Sequence, residues 1–314
     1  MLTRRHVRIK VVQSVYSFYT SKNNDLKNEI NFFNKSVSNI FELYYYLILL
    51  FTAIYKYSSN QTKNLKKAKL DVTKKIKNYQ KISDNMILFF IDEICKENNK
   101  NFKKISEEWE LENKYIKMLL DELFHSTFFN KYILIKKPTF NQQKQLMLDF
   151  FTEIIATSDY VSEYLCDKEL TWQDDLPVVN TFIVKQIKSI PLKDKNNFKI
   201  PEIKSFNEDV FFGEKLLKTC IENNDEIAQE LKGKTPNWET DRITSIDLII
   251  LKVAIAEILN FELIPTKVSI NEYIEISKDY STPKSNIFIN GVLDKLVKEF
   301  ELKNRLNKVG RGLN

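Results

Sequence analysis

Residues 265–296 read PTKVSINEYIEISKDYSTPKSNIFINGVLDKL, and they predict two consecutive helices near the end of the chain. Ser269 and Glu272 have the spacing of a capping box. In that motif the serine oxygen accepts a hydrogen bond from a backbone N–H of the first turn, and the glutamate reaches back to the cap. We therefore expect a helix that begins near residue 270.

A second helix is expected over residues 284–300. Thr282 and Pro283 mark its start, because proline at the first helical position loses no hydrogen bond. Inside it, Asn290 and Gly291 lower the helix propensity by about 1 kcal/mol or more relative to alanine. The interpretation we favour is packing, in which the glycine lets a neighbouring helix approach and the asparagine bonds to a loop backbone.

The distribution of glycine and proline predicts an all-α fold. The 314 residues are 43% hydrophobic and 29% charged, a globular balance. All 5 glycines lie beyond residue 212 and all 7 prolines at or beyond residue 138. The first 137 residues therefore favour long helices over strands joined by tight turns. No cluster of glycines suits a phosphate-cradling loop or a dinucleotide site.

The cysteines and histidines do not predict a metal site. Cys95, Cys166, Cys220, His6 and His125 are scattered, without a CxxC or HxxxH pair. A zinc site or a disulfide framework is not expected, and reduced cysteines fit the cytoplasm. We expect no metal, no cofactor and no enzymatic activity.

A membrane location is not expected either. The chain opens with arginines rather than the apolar run of a secretory signal. Its most apolar segment, LYYYLILLFTAIY at 43–55, is shorter than the roughly 20 residues that span a bilayer, which predicts a buried core helix. The net charge of +6 suggests an acidic partner, although a lysine-rich composition also arises without selection for binding.

The first helix is expected over residues 3–20. Val7, Val11 and Val15 form an apolar row at helical spacing, which predicts a buried face. On a helical wheel Arg8 falls inside the buried arc. Its guanidinium must therefore leave the bundle at its end, pair with an acid or meet a ligand.

The middle of the chain predicts further helices followed by a boundary. The segment 185–203 carries two prolines and reads as a linker. Within 63–81, eight lysines face one acid, which suits a solvated helix face or an extension of a nucleic-acid track. The helical patterns cover residues 25–57, 61–82, 84–98, 113–132 and 142–165.

Two blocks of the sequence resemble the NusB family of bacterial transcription antitermination factors. The residues that carry the resemblance are TRRHVRIKVVQSVYSF at 3–18, Phe212, Trp238, Arg242, Asp247, LIILKVAIAEIL at 248–259 and the segment 265–296. The resemblance implies a NusB-like helical bundle with an additional helical region inserted after the first helix. Residues 1–21 and 206–314 would form the RNA-binding domain, and 22–205 an insertion of unknown role.

The resemblance also implies partners and sites. The chain would bind single-stranded boxA-type RNA of ribosomal RNA leaders together with the ribosomal protein that acts as NusE. With other Nus factors it would join an antitermination complex on RNA polymerase. The RNA-binding positions would be Arg4, Arg5, Arg8, Tyr16, Lys252, Lys284 and Phe288, and the protein-binding positions Asp247 and Glu257.

Other interpretations stay open for these positions. The arginines also suit a solvated terminus, Phe288 a core residue, and Asp247, Lys252 and Glu257 the solvent side of a bundle. For the whole chain, one rival is a helical protein scaffold without specific RNA binding. A second rival is a domain associated with RNA methyltransferases, which would need a Gly-rich cofactor loop and a nucleophilic cysteine segment that this chain lacks.

Overall fold

A computed structural model describes residues 2–21, 25–67, 73–97, 102–191, 198–202, 206–232, 234 and 245–309. Within these ranges the regular structure consists of fifteen α-helices and one short π-helical turn, with no β-strand. The expected all-α fold is confirmed. Trp238 and Arg242, which contribute to the family resemblance, lie outside the described residues.

One compact unit, here called the terminal unit, comprises Leu2–Val37 and Ile203–Asn314. Within it α1 packs against α11, α13 and α14, and α14 packs against α15. Its helices are α1 (Arg4–Thr20), the first part of α2 (Leu26–Lys67), α11 (Asn207–Glu222), α12 (Asn224–Leu231), α13 (Ser245–Asn260), α14 (Thr266–Tyr280) and α15 (Ser285–Leu302).

The second compact unit, the central unit, comprises Ser38–Glu202. Buried Trp109 and Trp172 anchor their helices to α2 by donating to the backbone carbonyls of Tyr46 and Asn39, at 2.9 and 2.8 Å. Its helices after α2 are α3 (Thr73–Ser83), α4 (Met86–Glu97), α5 (Phe102–Leu111), α6 (Asn113–His125), α7 (Thr127–Tyr132), α8 (Phe140–Phe150), the π turn Phe151–Ile155, α9 (Asp159–Lys168) and α10 (Trp172–Ser189). The functional division at residues 21 and 206 stays a prediction.

Helix α1 forms as its sequence indicates. The side chain of Thr3 caps it by accepting from the His6 backbone N–H at 3.2 Å. Val7, Val11 and Val15 are completely buried, so the predicted apolar row is confirmed.

The predicted capping box of α14 is wrong. The helix begins at Thr266, one turn before the expected start. The Ser269 hydroxyl instead donates to Glu257 at 2.6 Å, and the Glu272 carboxylate accepts from Arg5. Both side chains therefore form tertiary contacts instead of the local cap.

Helix α15 runs over Ser285–Leu302, close to the expected range, although Pro283 lies in the turn before it. The packing interpretation of Gly291 is wrong, because a Cβ built on this residue meets no atom within 4 Å. Close approach occurs instead at Gly213 in α11. A Cβ there would lie 2.6 Å from Cγ1 of Val7 and closer still to the ring of Phe33.

Helix α2 is longer than expected, because it continues past the pattern at 25–57 and includes the first residues of the pattern at 61–82. The later part of that second pattern forms α3. Among the described residues it is the one helix whose length and composition would allow it to cross a membrane. However, 83% of its most apolar 18-residue window is buried inside the protein. The prediction of a buried helix over 43–55 is therefore confirmed.

The two described glycines of the terminal unit provide a matched stability test. We expect Gly213→Ala to lower the free energy of unfolding by about 1–3 kcal/mol, because the added methyl overpacks the site against Val7 and Phe33. Gly291→Ala should leave stability unchanged or raise it by up to about 1 kcal/mol, because the site is open and alanine favours the helix. Denaturant unfolding measures both, and equal effects would contradict the packing assigned to Gly213.

Candidate nucleic-acid interface

Two arginines at the start of α1 lie at the surface of the terminal unit. Nε of Arg4 donates to Oδ1 of Asp209 at 3.0 Å, and Arg5 donates from Nε and a terminal nitrogen to both oxygens of Glu272, at 2.9 and 3.0 Å. The side chains of Arg4 and Arg5 are 47% and 46% exposed. Each guanidinium is thus oriented by a carboxylate and keeps an exposed side for a ligand.

An aromatic layer lies beneath these cations. The Phe212 ring centroid is 4.8 Å from Cζ of Arg4 and 5.2 Å from Cζ of Arg8. Phe261 meets Phe212 edge to face, with 5.4 Å between centroids. Arginine stacks well on aromatic faces, so this layer helps to fix the planes of both guanidinium groups.

The third arginine of the row is buried rather than exposed. Arg8 forms two hydrogen bonds with Glu257, at 2.7 and 2.8 Å, and their side chains are 3% and 0% exposed. Ser269 and Tyr273 from α14 donate to the same carboxylate at 2.6 and 2.9 Å. Four hydrogen bonds therefore satisfy one buried charge.

Two groups of this cluster, Arg8 and Tyr273, have raised pKa values. Burial alone would lower the pKa of Arg8, but the hydrogen bonds and charge of Glu257 outweigh burial and raise it. Burial, followed by the charge of Glu257, raises the pKa of Tyr273 well above its usual value. The tyrosine hydroxyl thus remains a donor and the guanidinium remains charged.

Four of the positions expected to bind RNA or protein are buried in this structure. Arg8 and Glu257 satisfy each other, Asp247 is 3% exposed and accepts from the Ser285 hydroxyl at 2.9 Å, and Phe288 is 6% exposed. None of them presents its side chain at the surface of this conformation. Their visible role is to hold α1, α13, α14 and α15 together.

Lys252 is half-buried beside Tyr19. Its Nζ donates to Oδ1 of Asn224 at 2.8 Å and lies 4.2 Å from the centroid of the Tyr19 ring. Burial lowers the pKa of Lys252 and raises that of Tyr19 to about 12. The ammonium group of Lys252 therefore already has partners within the protein.

The remaining expected RNA-binding positions differ in their exposure. Tyr16 is 39% exposed, and Lys284 is exposed at the turn that precedes α15. Phe288 points inward, whereas its neighbour Ile287 is 72% exposed. The sequence pattern located the start of α15 closely but left open whether Phe288 is exposed or buried, and in the structure it is buried.

Sequence reasoning also missed the acids that orient the arginines. Asp209 carries no motif that links it to Arg4, and Glu272 seemed to serve a local cap. Such pairs, more than 200 residues apart in sequence, leave no signal in one sequence alone. Beside Arg4 and Arg5, Glu272 lines a shallow groove together with Leu263, Pro265 and Val268.

Comparison with known proteins matches residues 181–298 to the NusB family model. The transcription antitermination protein NusB of Salinibacter ruber is 45% identical over 102 residues, which are 32% of this chain and 64% of the relative. Its counterparts in Chloroherpeton thalassium and Finegoldia magna are 44% identical over 99 residues and 42% over 93. Those alignments cover 32% and 30% of this chain, and 47% and 68% of the relatives.

The chain therefore spans about half to two thirds of the length of these relatives. No solved structure matches it. The segment matched to the family model extends from within α10 to α15, and α1 lies outside it.

The buried pair should contribute far more to stability than the exposed pairs. We expect Glu257→Gln to lower the free energy of unfolding by about 3–5 kcal/mol, because Arg8 is left buried without a counter-charge. Arg4→Gln, which removes a half-exposed partner of Asp209, should cost no more than about 1 kcal/mol. Denaturant unfolding compares the two, and similar losses would contradict the role assigned to Glu257.

Proposed function

The chain belongs to the NusB family, and on that premise we propose that it is a non-enzymatic, RNA-binding factor of transcription antitermination. Its RNA would be a single-stranded, boxA-type segment of a ribosomal RNA leader. It would bind together with the ribosomal protein that acts as NusE, and would join other Nus factors in a complex on RNA polymerase in the cytoplasm.

The observation that carries this proposal is the pair of half-exposed arginines at the start of α1. Arg4 and Arg5 are already oriented by Asp209, Glu272 and the ring of Phe212. Pre-orientation reduces the entropy lost when a phosphate is bound. The positive end of the α1 dipole adds to the attraction for phosphate.

Each guanidinium group would bind an RNA phosphate either in addition to its present carboxylate partner or in place of it. Arginine matches phosphate with two parallel hydrogen bonds, as it does carboxylate. Tyr16 and Lys284 are also exposed, and they would supply an aromatic ring for base stacking and a further cation. Arg8 and Phe288 would position this surface from below rather than touch RNA.

A protein-binding scaffold is the second candidate, and one observation favours it. Leu263 and Val268 are 81% and 44% exposed within the groove beside Arg4 and Arg5. Exposed apolar side chains rimmed by charges suit a protein partner. Salt separates the two candidates, because RNA binding weakens steeply as salt rises.

The arginines are tested by RNA titrations at several salt concentrations, with and without the ribosomal-protein partner. We expect Arg4→Gln/Arg5→Gln to weaken boxA binding and to reduce the slope of log affinity against log salt by about 0.7 for each phosphate that is no longer neutralised. Unchanged affinity and slope would remove these arginines from the RNA surface. If the wild-type protein with its partner binds no boxA RNA, the proposed function itself fails.

Helix α15 offers a control for the second cation. Lys284 and Lys298 are both exposed, and 14 residues separate them, about 21 Å along a helix. We expect Lys284→Gln to weaken RNA binding several-fold, because one phosphate then lacks its cation, and Lys298→Gln to have little effect. Equal losses in fluorescence anisotropy titrations would indicate that only the net charge matters.

A further inference from the structure

A cavity of about 590 Å³ lies in the central unit between α2, α4, α5 and α6. A smaller cavity of about 330 Å³ adjoins it and shares part of its lining, including Lys56, Asp92 and Ser106. The larger volume is within the range of small-molecule sites. No step of RNA binding by the terminal unit uses this cavity.

Asp92 contributes a buried acceptor to both cavities. The residue is 1% exposed, and its Oδ2 pairs with Nζ of Lys96 at 2.7 Å. Its Oδ1 is fully buried and accepts no hydrogen bond from any residue that the structure describes. An unsatisfied buried carboxylate oxygen is costly, so an N–H or O–H donor that reaches this atom, from a water molecule or from a ligand, is favourable.

Two lysines give the same cavity a positive side. Lys56 and Lys63 both lie on α2, seven residues and about 10 Å apart, and both line the cavity. Neither forms an ion pair within the described part of the chain, in contrast to Lys96, which pairs with Asp92 and Glu93. The lining contains three lysines in all, and its two acids are Asp92 and Glu110.

The lining also includes two tyrosines. Tyr55 meets Phe89 edge to face at 6.5 Å between ring centroids, and Tyr57 meets Tyr79 at 6.2 Å. These contacts restrict the orientation of both rings. Aromatic side chains next to cations suit a planar base attached to a phosphate.

We propose that this cavity binds a nucleotide. Lys56 and Lys63 hold the phosphate, Oδ1 of Asp92 accepts from an amino group of the base, and one of the two tyrosines contacts the base ring. A ligand with an anion, an N–H donor and a flat ring satisfies all three features at once. The nucleotide is either free or one unit of an RNA strand, and this proposal does not rest on the arginine surface of the terminal unit.

The test uses the full chain with mononucleotides, the corresponding nucleosides and a short single-stranded RNA, measured by calorimetry. We expect AMP, GMP or CMP to bind, and the nucleosides to bind at least about tenfold more weakly without the phosphate. Lys56→Gln/Lys63→Gln should weaken nucleotide binding at least about tenfold. The control is Lys66→Gln/Lys67→Gln, which removes two exposed lysines of the same helix outside the cavity lining and should change affinity less than about twofold.

A second variant tests the cavity without changing its charge. Ser106→Trp places a large side chain in the shared lining of both cavities, and it should abolish nucleotide binding while far-UV circular dichroism remains helical. If Ser106→Trp misfolds, the comparison of Lys56→Gln/Lys63→Gln with the control pair still tests the proposal. Binding that survives Ser106→Trp in a folded protein would overturn the proposal.

The source of the nucleotide follows from which probe responds. Binding of mononucleotides that depends on Lys56 and Lys63 identifies a free nucleotide, whereas a loss confined to the RNA oligonucleotide identifies one unit of a strand. If neither probe distinguishes Lys56→Gln/Lys63→Gln from the control pair, the proposal is wrong. Arg4→Gln/Arg5→Gln should leave mononucleotide binding intact, so failure here is distinct from failure of the proposed function.

Discussion

One buried carboxylate organises the terminal unit. Glu257 on α13 accepts two hydrogen bonds from Arg8 on α1 and one each from Ser269 and Tyr273 on α14. A charge withdrawn from water is tolerated only when its hydrogen-bonding capacity is met, so these three helices must keep their relative register. The pair joins positions 249 residues apart in sequence and ties the start of the chain to its C-terminal helices.

The exposed arginines depend on the same arrangement. Arg4 and Arg5 precede Arg8 on α1, and the depth and rotation of that helix are set by the buried pair and by the apolar row beneath it. Phe212 touches Arg4 and Arg8 together, so the buried and the exposed cations share one aromatic support. A candidate RNA surface thus rests directly on the interaction that stabilises the fold.

The central unit presents different chemistry. Its candidate site is a cavity rather than a surface, and lysines rather than arginines supply the positive charge. The acid there, Asp92, has one oxygen without a partner among the described residues, whereas both oxygens of Glu257 are fully bonded. A ligand could therefore donate a hydrogen bond to Asp92, whereas Glu257 has no oxygen left to accept one. Similar buried acids therefore point to opposite roles, one in binding and one in structure.

The sequence by itself determined the helical class and the extent of α1 and α15, because periodicity and the placement of glycine and proline act locally. It also indicated the family, through the resemblance of two blocks of sequence. Only the tertiary structure decided which polar residues are buried. Ser269 and Glu272 have the spacing of a cap, but a cap contributes about 1 kcal/mol, whereas an unpaired buried charge costs several. The Ser269 hydroxyl therefore donates to the buried Glu257 instead of forming a cap. Glu272 accepts from Arg5 instead. Periodicity shows which face of a helix is apolar, but not which distant residue will meet it.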